Sequence, residues 1–193
     1  IRETSVLGYK LELRRTISSQ IGEAIIKIDD EVTNVGNEPA PHMVMYHCNF
    51  GWPLVDEGAS LFWKGSLTSR GNKMDDEIFS NDGYTNCPAP LSTHNGFGEA
   101  CAFIDVLADN NGICTCGINN PSRGLRLDMR FPKHQLPWLT NWQHWGKGEY
   151  VTGLEPCSNI PGDQYAARKN GDLIFLQPGE TKRYNLEIEV GKF

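Results

Sequence analysis

The chain of 193 residues predicts an all-β fold, a sandwich of antiparallel strands, on three observations. Twenty Gly and eleven Pro supply turn residues throughout and argue against a helical bundle or coiled coil. Apolar and polar residues alternate with period two in several separate segments, the mark of half-buried strands. No segment keeps an i, i+3, i+4, i+7 stripe for three turns. Strand following strand without intervening helices pairs antiparallel and stacks as two sheets.

The first predicted strand carries Tyr9, Leu11 and Leu13 between Lys10, Glu12 and Arg14. The second carries Ile26 and Ile28 and runs through Val32 to the turn at Asn34-Val35-Gly36-Asn37. In the third, Met43, Met45 and His47 share one face, and Val44, Tyr46 and Cys48 the other. Residues 66–98, rich in Asn, Ser, Gly and Pro, read as one long loop, with Asp75-Asp76-Glu77 solvated on it. Residues 99–107 and 151–155 read as more deeply buried strands. Leu125, Leu127, Met129 and Phe131 alternate with charged residues, as do Tyr184, Leu186, Ile188 and Val190 near the end. Asn110-Asn111-Gly112 and Pro178-Gly179 mark turns. With no repeat and no shift in composition, one domain over residues 1–193 is expected.

Eighteen basic against twenty-four acidic residues give a net charge of −6, without a basic cluster. Nucleic acid and anionic membrane are therefore poor partners. No apolar run approaches the ~18 residues of a membrane helix. The six cysteines lack C-x-x-C or four-ligand zinc spacing, and the histidines lack close pairs, so no metal is expected. Buried free thiols and a cytoplasmic location are the expectation.

Two segments carry chemistry. His47, Asn49, Trp52 and Asp56 cluster where a strand meets a loop; Trp142, Gln143 and His144 precede the strand that holds Glu155. A carboxylate before Pro156, taken as the strand's end, can be desolvated and raised toward a working base. For each tryptophan, core packing and ligand stacking remain open. His42 and His94 read as surface residues.

These residues resemble the galactose mutarotase (aldose 1-epimerase) superfamily. Tyr46-His47-Cys48-Asn49-Phe50-Gly51 is similar to the family strand with the acid histidine, and Gly153-Leu154-Glu155-Pro156 to the strand with the base. Leu176-Gln177-Pro178-Gly179-Glu180 is similar to its terminal turn, and the whole resembles a bacterial aldose-1-epimerase-like branch from about residue 17 onward. The resemblance implies a β-supersandwich binding a small-molecule sugar without a cofactor, with His47 as acid and Glu155 as base in anomer interconversion. It implies sugar contacts from Asn49, Trp52, Asp56, Trp142, Gln143, His144 and Arg168. It also implies that early family strands, bearing an arginine and often a histidine, have no counterpart before Tyr9. The fold is then incomplete at the N-terminus, and the site is partial, differently built, or completed by another chain, as in a homo-oligomer. The alternative function is a non-catalytic sugar-binding sandwich.

Overall fold

The computed structural model describes residues 1–4 and 6–192. In chain order the strands are β1 (Arg2–Thr4), β2 (Lys10–Ser18), β3 (Ile25–Asn34), β4 (Ala40–His42), β5 (Asn49–Phe50), β6 (Ser60–Trp63) and β7 (Gly65–Ser69). After helix α1 (Lys73–Phe79) come β8 (Ala100–Val106), β9 (Ile113–Asn120), β10 (Leu125–Pro132), β11 (Trp138–Gly146) and β12 (Glu149–Cys157). Helix α2 (Gln164–Asn170), β13 (Ile174–Leu176) and β14 (Thr181–Lys192) complete the chain. One sheet has the order β1-β2-β3-β14-β10-β9-β6, a second β5-β12-β11-β8-β7, and a ribbon pairs β13 with β4. The pairing is antiparallel throughout the named strands.

The alternating segments form strands because each buries one face. On β10 the inward set Leu127, Met129 and Phe131 is buried, and on β14 Tyr184 and Leu186 lie beside it. Ile104, Leu139, Trp145 and Leu154 of the second sheet meet them in one core. Each such side chain stabilises the fold by about 1.5–3 kcal/mol through removal from water. With the core on one side of the second sheet, the opposite residues of β5, β12, β11 and β8 are left to form a site.

Several expectations change. Residues 43–48 do not form a continuous ladder: β4 ends at His42, Met45 keeps only an isolated bridge to Cys157, and pairing resumes at β5. The face assignment survives, with Val44, Tyr46 and Cys48 on the core. Residues 66–98 are not one loop, since they hold β7, α1 and a 3-10 turn at Ser92–His94. Asp75 is not solvated; it is wholly buried in the first turn of α1, where Asn72 and Asp75 cap each other's backbone N–H. Pro156 does not end β12, which runs on to Cys157. His42 is buried against the Tyr184 hydroxyl at 2.7 Å, and His94 is buried with Nδ1 accepting the Trp145 N–H at 3.0 Å. Each ring has one polar partner in the interior, a feature period-two patterns do not record, while His94 Nε2 is buried without one. All six cysteines are free thiols, five of them buried. Among the described residues no helix is long and apolar enough to cross a membrane.

Candidate active site on the open face of the second sheet

The site is built around Gly153 at the middle of β12. Its ladder neighbours are Asn49 on β5 and Trp142 on β11. Two residues along β12, on the same face, stands Glu155. A Cβ at Gly153 would lie 2.3 Å from Glu155 Oε1 and 3.2 Å from Asn49 Oδ1, so only glycine leaves the carboxylate room to fold over the sheet here.

His47 lies opposite Glu155. The Met45–Cys157 bridge and the Asn49–Gly153 pair fix a register in which residues 47 and 155 face each other. Tyr46 N–H donates to the Pro156 carbonyl and Leu154 N–H to the Cys48 carbonyl, so the 47/155 position falls between backbone bonds, where side chains approach most closely. His47 Nδ1 is 3.1 Å from Glu155 Oε1, the histidine exposed (59%) and the glutamate nearly covered (3%). The contact is close but poorly aligned as a hydrogen bond, and Glu155 Oε1 is a buried acceptor without a partner. Desolvation raises the Glu155 carboxyl to about 7, with His47 pulling it down and Glu99 pushing it up.

Trp142 and His144 line the same face further along β11. Their rings stack at 5.9 Å and 6°, and His94 also stacks on His144, at 6.0 Å and 29°. His144 Nδ1 is 2.5 Å from the Gly98 carbonyl, and its Nε2 lies 3.3 Å from Glu149. The Trp142 indole N–H donates to Glu99 at 2.7 Å, and Arg70 donates to the other Glu99 oxygen at 2.7 Å. Arg70 is itself forked onto buried Asp75 at 3.0 Å and 3.0 Å, while Asp75 also accepts the Cys101 N–H at 2.8 Å. This chain of contacts fixes the half-buried Trp142 ring at the wall of a cleft of about 550 Å³, lined also by Phe97, Glu99, His144, Glu149 and Val151. Glu99 and Arg70 were not singled out from sequence. Only the period-two spacing of Glu99, Cys101 and Phe103 on one face could have signalled the first.

Other predicted contacts lie elsewhere. Gln143 points to the core side, because β11 alternation places it with Asn141 and Trp145; its amide donates to Tyr84 O and Asn141, and its carbonyl accepts from the Trp145 indole. Trp145 is therefore core. Trp52 is exposed, its ring 6.0 Å from Arg123, and Asp56 pairs with the same Arg123 at 3.0 Å. Arg168, on α2, lies over the Phe175 ring at 5.5 Å. Among the described residues no hydrogen bond or ion pair joins Trp52, Asp56 or Arg168 to His47 or Glu155. Asn49 does face the site, beside Gly153. Among the described residues no group of three or more His, Cys, Asp or Glu is arranged to hold a metal ion.

The two antiparallel sheets match the sandwich fold of galactose mutarotase-like proteins. A candidate aldose 1-epimerase from Klebsiella pneumoniae superposes over 98% of this chain with a TM-score of 0.88 at 24% identity. A galactose mutarotase-like protein from Clostridium acetobutylicum covers 100% at TM-score 0.60 and 13% identity, and the GalM/aldose epimerase homologue from C. elegans 95% at 0.64 and 11%. The chain spans about half of the Klebsiella protein (49%), and 65% and 61% of the other two. No curated protein matches it in sequence. The chain belongs to the DUF4432 family, a domain of unknown function, which matches residues 1–190.

Proposed function

We propose that this protein interconverts the anomers of a free aldose by acid/base ring opening at His47 and Glu155. The observation that carries the reading is the buried, unpartnered Glu155 carboxylate, raised to about 7, across the ladder from an exposed histidine. A carboxylate with that affinity for protons exchanges one readily near neutral pH.

Glu155 removes the proton of the anomeric hydroxyl, while His47 delivers one to the ring oxygen. The C1–O5 bond breaks, giving the open-chain aldehyde. Rotation about C1–C2 presents the other face, and closure returns both protons. O1 and O5 are both bonded to C1, so an acid and a base on neighbouring strands can serve one C1–O5 unit, and residues that face each other across the ladder supply that arrangement. With Nδ1 turned to Glu155, Nε2 is the His47 nitrogen that reaches the sugar. Trp142 offers an aromatic face for the apolar side of the ring, and Asn49 a donor and acceptor for hydroxyls. The solved structures named for aldose epimerases support this reading through their fold.

Saturation-transfer NMR on a panel of free aldoses tests it. The expected result is anomer exchange faster than in buffer for at least one sugar, lost in Glu155→Gln. Exchange at the buffer rate for every sugar, with sugar-dependent tryptophan fluorescence retained, would leave a binding module instead.

A further inference from the structure

The open face continues beyond the acid/base pair. Met45 and Cys157, bridged across the ladder, stand two residues before His47 and two after Glu155. They therefore share its face, one two-residue step of about 7 Å further along. A second depression of about 210 Å³ lies there, lined by Met43, Met45, Cys157, Ser158, Asn159 and Pro161. Among the described residues no charged side chain lines it.

Its polar atoms are already engaged. Ser158 Oγ accepts the Val44 N–H at 3.0 Å and pairs with Asn159 Oδ1 at 2.7 Å; the Asn159 amide donates to the Asp172 carbonyl. Cys157 Sγ is held between Thr140 Oγ1 and the Trp138 carbonyl, each at 3.6 Å. Most of what remains for a ligand is thioether and pyrrolidine surface, with polar atoms the smaller part. Methionine is adaptable and apolar, which suits a small hydrocarbon group better than a hydroxyl.

We propose that this depression is an apolar subsite of the sugar cleft, taking an apolar C5 substituent of a neutral aldose, of which the methyl of a 6-deoxy sugar is the simplest. The proposal rests on the acid/base reading of His47 and Glu155. C5 is the bonded neighbour of the ring oxygen that His47 addresses, and the depression adjoins His47 on the side away from Trp142. A 6-hydroxyl seated against the Met43 and Met45 side chains surrenders water without gaining a partner from them, whereas a methyl buries apolar surface.

The test compares 6-deoxygalactose and 6-deoxyglucose with galactose and glucose, by NMR anomer exchange and separately by binding, read as sugar-dependent tryptophan fluorescence. Each deoxy sugar is expected to bind and exchange about tenfold better than its parent, the scale of one methyl-sized apolar contact. Met45→Gln, similar in length but polar, is expected to bring the deoxy-to-parent ratio close to one; Met43→Gln serves as the second variant. Preferential binding without exchange would overturn the acid/base reading and keep the subsite. Parents that bind as well as or better than deoxy sugars, a ratio unmoved in both variants, or no binding of any of the four would overturn the subsite.

Discussion

At the residue scale, Glu155 and Gly153 depend on each other. The Cβ position at Gly153 overlaps the Glu155 carboxylate at 2.3 Å. Gly153→Ala therefore displaces Glu155 and is expected to lower anomer exchange at least tenfold, while far-UV circular dichroism stays that of the wild type. The raised Glu155 carboxyl sets a stability consequence too. Between about 4.5 and 7 the folded chain binds a proton that the unfolded chain has released, so the slope of stability with pH is negative there. The full cost is present above 7 and absent below about 4.5. Glu155→Gln should accordingly raise stability at pH 8, by up to about 3 kcal/mol and read as a higher Tm, and by little at pH 5. Equal Tm gains at both pH values would contradict this. That His47 and Glu155 lie side by side was legible from the two runs that hold them; their roles remain the proposal. Gln143 was misread because its neighbours Trp142 and His144 point to the cleft while alternation turns it inward.

At the element scale, α1 is a seven-residue helix that braces the cleft from behind. Asp75 joins it to β8 through the Cys101 N–H, and to the cleft through Arg70, Glu99 and Trp142. A buried carboxylate that accepts from a guanidinium and a backbone N–H leaves both uncompensated when removed. Asp75→Ala is expected to cost about 2–4 kcal/mol in urea unfolding and to weaken sugar-dependent quenching of Trp142. A loss under 1 kcal/mol would show that the brace carries little. Nothing in the run Asp75-Asp76-Glu77 marks Asp75 as buried: three adjacent acids look like a solvated surface, and the partner Arg70 lies in a segment without strand periodicity. The long alternating strands were legible, since burying one face writes a period-two pattern. Short elements such as β5 and β7 were not, because two to five residues carry too little pattern to separate strand from loop.

At the scale of the whole molecule, the ribbon β4–β13 is tied to the larger sheet by the His42–Tyr184 contact at 2.7 Å. Burial, aided by Lys182, pushes His42 down to about 4. The unfolded chain then binds the extra proton between about 6.5 and 4, so this group makes stability fall as pH drops through that window. In a Glu155→Gln background, which removes the opposing trend, acid destabilisation between pH 6.5 and 4 should be reduced by His42→Gln; an unchanged pH dependence of Tm would contradict the assignment. The sandwich class followed from composition and alternation, but strand order did not, because neighbours such as β3 and β14 are brought together from opposite ends of the chain. The central claim is that the buried Glu155 beside His47 is the working base. The pH profile of anomer exchange by saturation-transfer NMR tests it most directly, on a sugar that the wild-type protein turns over. A rate that rises with pH through about 7 and is lost in Glu155→Gln is the expected result; exchange that persists in Glu155→Gln with the same profile would contradict it.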